Sequence, residues 1–189
     1  IDWRLAQCQR LGVEFRFNTW AEAGDVMAEQ PDVVVIATGG MPTTGLLAEG
    51  NDLVISAWDI LSGDAKPGTN VLIFDEAGDH AALQAAQMIA EAGGRVEVMT
   101  RDRTFSPEVM GMNLVPYMRA LQDKAVTFTV TYKLDAVRRA GNQLEAVIGS
   151  DYMKLTKTAV YDQVVVNGGT QPLADLYFEL KPASGNKGA

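Results

Sequence analysis

Residues 75–80 read Asp-Glu-Ala-Gly-Asp-His. They lie between an apolar run, Val71–Phe74, and a helix pattern, Ala81–Ala92, closed by Gly93-Gly94. A second strand pattern, Arg95–Met99, follows. In a dinucleotide-binding βαβ unit this turn carries G-x-G-x-x-G. The first glycine makes the tight turn, the second admits the pyrophosphate, and the third lets helix pack on strand. The helix N-terminus then offers amide donors and partial positive charge to the phosphates. Here the three positions hold Asp75, Ala77 and His80. Asp75, Glu76 and Asp79 would satisfy the helix start themselves. They would also repel a diphosphate, at ~1–4 kcal/mol for each like-charge contact at ~4 Å. The unit is expected to keep its architecture and not to hold NAD(P) in the usual way.

Other chemistries are bounded by scarcity. Cys8 is the one cysteine and His80 the one histidine. An internal disulfide, a CxxC pair, an iron–sulfur ligand set and a histidine-based zinc cluster are therefore excluded within this chain. Cys8 falls on the apolar side of a helix pattern and is expected to be a small core residue. His80 is expected to be a cap or surface residue. Asp75, Glu76 and Asp79 lack EF-hand spacing and read as a solvated acidic helix start rather than a cation site. Arg101-Asp102-Arg103 stands where a ribose or 2′-phosphate would be read, but with the glycines gone it reads as an exposed loop. Met88, Met99, Met110, Met112 and Met118 read as core filler, and Trp3, Trp20 and Trp58 as boundary packing. No residue is assigned a catalytic role or a metal.

The chain has 189 residues, 47% of them hydrophobic, and a formal charge of −8. That suits one large domain or two small ones. The acidic balance argues against nucleic acid and against a basic membrane patch. No apolar run approaches the ~20 residues of a membrane span, and no signal-peptide pattern is evident. A cytoplasmic location is expected.

Several elements must position these residues. Ile1–Leu11 reads as a helix ended by Gly12, Val13–Phe17 as a strand, and Ala21–Ala28 as a short helix. Val33–Ala37 is a continuous apolar run, as in a central strand buried on both faces. Leu53–Ser56 reads as a strand and Trp58–Leu61 as a helical turn. After the loop Thr100–Asn113, a helix over Leu114–Asp123 carries Pro116 in its first turn. Val126–Tyr132 reads as a strand. Leu134–Arg139 and Gln143–Ser150 form a hairpin about Ala140-Gly141-Asn142. Lys157–Val160 and the apolar Gln163–Val166 follow, and the tail Ala183–Ala189 is small and polar. Right-handed crossovers would give a parallel sheet with helices on both faces. The fold class is α/β: a Rossmann-like parallel sheet with an inserted antiparallel β-meander.

Asp32–Pro42 is loosely repeated by Asp162–Pro172, with aspartate, valines, Gly39/Gly169 and Pro42/Pro172 in register. Two similar strand-end turns could arise by chance. Alternatively, each strand closes one of two related nucleotide-type domains, and glycine there lets backbone approach a cofactor. Together with the βαβ unit and the meander, this echo resembles the two-dinucleotide-domain flavoprotein reductases. Ala37-Thr38-Gly39 matches their Ala-Thr-Gly strand end, and Gly169-Thr170-Gln171-Pro172 their return element. Trp58–Gly63 and Tyr177–Pro182 narrow the resemblance to the C-terminal region of the trimethylamine dehydrogenase and 2,4-dienoyl-CoA reductase family, with an N-methylproline demethylase flavour.

The resemblance implies a fragment of a longer flavin-dependent oxidoreductase, truncated from the two-dinucleotide-domain flavoprotein type, with residues 1–65 a partial FAD/ADP-type domain and linker, 66–168 an NAD-type Rossmann domain with a degenerate fingerprint, and 169–189 a return segment toward the FAD-type domain. Its parent would carry FMN in an N-terminal barrel and a 4Fe-4S cluster, both outside this chain. This chain would hold part of an FAD or ADP site at Ala37, Thr38, Gly39, Gly78 and Gly169. Its expected partner is the barrel of the same polypeptide, and the parent is expected to be a homo-oligomer. Two alternatives stay open: a working NAD(P)H-binding reductase module, and a docking domain for an electron-transfer flavoprotein.

Overall fold

A computed structural model describes residues 1–185. In chain order the elements are α1 (Asp2–Arg10), α2 (Ala23–Ala28), β1 (Gly40–Pro42), β2 (Ile55–Ser56), α3 (Ala57–Ser62), β3 (Asn70–Asp75), α4 (His80–Glu91) and β4 (Arg95–Met99). There follow α5 (Met110–Asp123), β5 (Thr127–Thr129), β6 (Lys133–Ala140), β7 (Gln143–Gly149), β8 (Thr156–Tyr161), β9 (Gln163–Asn167), β10 (Thr170–Pro172) and α6 (Asp175–Leu180). The end of the small polar tail, residues 186–189, lies outside the described residues. Two compact units emerge, Gly40–Pro172 and a second made of residues 1–39 with the segment from Leu173 onward.

The larger unit is built on a parallel sheet in the order β2-β9-β3-β4-β5. The alternation of β3 decides its layers. Val71 and Ile73 face a core shared with Ile60 of α3, Leu83 and Ile89 of α4, and Leu121 of α5. Leu72 and Phe74 face the opposite core, with Leu134, Val137, Ala146 and Ile148. Side chains two apart share one face of a strand, so β3 is apolar throughout because both faces are covered. Alanines at 82, 85, 86 and 90 make the buried stripe of α4. Their small side chains let the helix lie close to the strands.

The expectation of helices on both faces is corrected here. α3, α4 and α5 share one face, while the antiparallel sheet β6-β7-β8 supplies the other cover. The meander's alternating pattern is the reason: a sheet with one apolar face serves as a layer as well as a helix does. The α/β class with parallel sheet and inserted meander is what the molecule adopts. The two halves of the echo meet at their ends, β1 pairing antiparallel with β10 through Gly40–Pro172, Met41–Gln171 and Pro42–Thr170.

Other local expectations also change. Val13–Phe17 forms no strand. Val33–Ala37 forms no strand, with Val33 78% and Val35 85% exposed. A central strand needs neighbours on both edges, and among the described residues this smaller unit contains no strand to provide them. Trp3 and Trp20 are exposed for the same lack of a core, and Cys8 is half-buried rather than core. Helix α5 begins a turn earlier than expected, after the short 3₁₀ segment Pro107–Val109 anchored by buried Val109. Pro116 therefore stands inside the helix, and Met110 and Met112 are exposed instead of filling the core.

Candidate functional site

The C-terminal ends of β3, β4 and β9 converge within the larger unit. β3 has β4 on one side and β9 on the other, so the chain's connections diverge between β3 and β9. In an open α/β sheet such a divergence is where ligands bind. The turn from β3 into α4 lies at that point.

Its donors are already engaged. Asp75 ends β3 and is 2% exposed. Its Oδ1 accepts from the Gly78 amide at 2.9 Å and from Asn167 Nδ2 at 2.9 Å. The solvated acidic helix start is thus corrected at Asp75: a buried carboxylate keeps its place because inward-facing donors satisfy it. Asp79 caps α4, its Oδ1 accepting from the Ala81 amide at 2.9 Å and from Asn167 Nδ2 at 2.9 Å. The Asn167 carbonyl accepts from the amides of Glu76 (2.9 Å) and Ala77 (3.0 Å). Three successive backbone amides, 76 to 78, therefore have internal acceptors.

The other wall is formed by the segment after β4. Gly78 has φ +67°, and a side chain there would come within 2.7 Å of Pro107 Cδ. Glu108 donates its amide to the Gly78 carbonyl at 3.0 Å. Ser106 is 2% exposed with φ +40°, and its Oγ has no hydrogen-bond partner. His80 opens α4, with Nδ1 3.2 Å from the Tyr117 hydroxyl.

The flanking charges are only partly paired, and Glu76 Oε1 is buried without a hydrogen-bond partner. Arg101, just past β4, lies 3.5 Å from Glu76 Oε2 and 3.3 Å from Asp151 Oδ2. Lys133 reaches Asp151 at 3.2 Å and Asp135 at 3.4 Å. Burial pushes the Asp75 carboxyl above its ordinary value; the Gly78 amide and Asn167 pull it down, and Asp79 adds to the rise. Burial likewise raises Glu76, against the pull of Arg101.

Of the sequence-derived cofactor candidates, Gly78 and Gly169 come to the same turn. A side chain on Gly169, whose φ is +78°, would meet Ala77 Cβ at 3.7 Å. Ala37, Thr38 and Gly39 belong to the smaller unit. There Thr38 Oγ1 donates to the Leu173 carbonyl at 2.6 Å, and the Gly39 carbonyl accepts from the Leu173 amide at 3.0 Å. Asn167, Ser106 and Pro107 were not among those candidates. Asn167 carried a signal: in the echo it occupies the place of Ala37, a polar residue closing an otherwise apolar run. Among the described residues, no three His, Cys, Asp or Glu side chains gather as metal ligands, and no helix is long and apolar enough to cross a membrane.

The amides of residues 76–78 face the Asp75 carboxylate and the Asn167 backbone carbonyl, and Arg101 beyond β4 is paired.

No protein-family profile matches the chain. It is 68% identical over 188 residues to a probable N-methylproline demethylase of Rhizobium meliloti (strain 1021), covering 100% of this chain and 28% of that protein. It is 40% identical over 193 residues to an N,N-dimethylglycine/sarcosine dehydrogenase of Chromohalobacter salexigens, covering 98% of this chain and 28% of the relative. Among solved structures, a 2-naphthoyl-CoA reductase aligns with TM-score 0.75 and 29% identity over 92% of this chain and 26% of the other. The chain spans about 28% of the length of the curated relatives it matches.

Proposed function

We propose, for a chain that resembles the C-terminal region of the trimethylamine dehydrogenase and 2,4-dienoyl-CoA reductase family of flavoprotein oxidoreductases, a non-catalytic nucleotide-domain role that does not itself take NAD(P)H. The names of the two relatives support N-methylated amino acids as the substrate class of the whole protein. A bound flavin would supply the oxidation of such an amine. This chain would add no acid, base or nucleophile. It would offer backbone at Ala37, Thr38 and Gly39 to the ADP half of FAD or to ADP, and a surface for the N-terminal barrel of the same polypeptide.

The observation that carries this reading is the Asp75 carboxylate on the Gly78 amide, 2.9 Å away, where a phosphate oxygen would have to be. Calorimetric titration of the chain with NADH and NADPH tests it. No binding up to millimolar ligand is expected, and a micromolar dissociation constant for either would overturn it. A second reading, docking of an electron-transfer flavoprotein, is favoured by exposed Met110, Met112 and Val115 on α5. Co-purification with such a carrier, lost on M112E, would support that reading; no retention of any carrier would count against it.

A further inference from the structure

We infer that the β3–α4 turn is a diphosphate cradle occupied from within, and that Asp75 and Asn167 together are its occupant and decide that a nucleotide is refused. The inference rests on the reading that NAD(P)H is not taken here, and goes beyond it by naming what fills the place. Loss of the fingerprint glycines would be enough to weaken binding. The geometry goes further, since a carboxylate oxygen of Asp75 takes the Gly78 amide as an anionic ligand would. Asn167 fixes that arrangement. One side-chain nitrogen bridges Asp75 and Asp79, while the residue's backbone carbonyl, independent of its side chain, takes the amides of Glu76 and Ala77.

The surroundings remain those of a ligand site. The turn lies at the divergence between β3 and β9, and α4 presents its N-terminus there. Gly78 keeps a left-handed conformation. Ser106, next to the Pro107 ring that abuts Gly78, keeps a buried hydroxyl with no partner. A buried donor left unsatisfied is unusual in a site with no use for one. The ligand class is a nucleoside diphosphate, an anion for the Gly78 amide at the start of α4.

The test uses the full chain with NADH as the probe in calorimetry. Wild type and D75N should not bind, because the carboxamide of D75N keeps an acceptor on the Gly78 amide while removing the charge. The double variant D75G/N167A frees that amide and should bind NADH at least 100-fold more tightly than wild type. A folded double variant with wild-type affinity overturns the inference and leaves the proposed function standing. D75N binding as tightly as the double variant also overturns it, since charge rather than occupancy would then be the barrier. Tight binding by wild type ends both. Amide exchange on the wild type decides the matter if the double variant does not fold. Gly78 should exchange at least 100-fold more slowly than an open amide, and free exchange would overturn the closure.

Discussion

Asn167 donates its side-chain amide to Asp75 Oδ1 at 2.9 Å and so ties the last residue of β9 to the last residue of β3. The two strands are already parallel neighbours, with Asp75 opposite Asn167 in register. The side-chain bond extends that ladder beyond the backbone, to the point where the chain would otherwise open to a ligand. Both residues are buried, so neither partner can be replaced by water without rearrangement.

Substituting N167A should therefore cost far more than its small change in volume. It removes the donor shared by Asp75 and Asp79 and leaves the Asp75 carboxylate with the Gly78 amide alone. A buried charged acceptor deprived of a donor costs on the order of 2–4 kcal/mol. Denaturant unfolding should give a loss of that size at neutral pH and a smaller one near pH 4, where Asp75 is more fully protonated. Equal losses at both values would show that the carboxylate is not what Asn167 holds.

D75N should change how stability depends on pH. The folded-state pKa of Asp75 lies above its ordinary value, chiefly through burial. Between the two pKa values the native state holds the proton that the unfolded chain, with an ordinary pKa near 3.9, has lost. Asp75's contribution is thus fully present below about pH 3.9 and is lost as pH rises through the folded-state value. Each tenfold difference in proton affinity is worth about 1.4 kcal/mol. A carboxamide at this position keeps the acceptor without the charge, so the stability of D75N relative to wild type should grow from pH 4 towards pH 7. Thermal melts giving parallel curves would refute this.

Two apolar runs of similar composition behave oppositely, and this limits what can be read from sequence. Val164–Val166 is fully buried, whereas Val33–Val35 is exposed. Apolarity marks a run fit for a central strand, but burial depends on neighbours that lie far away in sequence or beyond the chain. The βαβ unit and the hairpin about Gly141 were legible because their signals are local: period and turn glycine. The closure of the turn was legible only in part. The acidic residues were evident, but their burial and the partner that permits it came from the pairing of β3 with β9. Accordingly, V35A should shift stability by less than about 0.5 kcal/mol, while I73A, deep between strands and α4, should cost about 2–5 kcal/mol. A comparable loss for V35A would show that the run is covered in solution.

Pro116 provides the opposite kind of prediction, a gain. It lies inside α5, where proline has no amide to give the carbonyl of Met112 four residues back. Interior proline costs a helix about 3 kcal/mol relative to alanine. The protein tolerates it because both Met112 and Pro116 are on the exposed side, where water can satisfy the carbonyl, while buried Leu121 holds the far end of the helix to the core. P116A should restore the bond, tighten the helix and raise stability by about 1–3 kcal/mol. Part of the intrinsic gain is offset because proline also restricts the unfolded chain. Denaturant midpoints of P116A and wild type, read with an unchanged slope, check this. A lower midpoint would mean that Pro116 itself is required for Val109 and Leu121 to reach the core together.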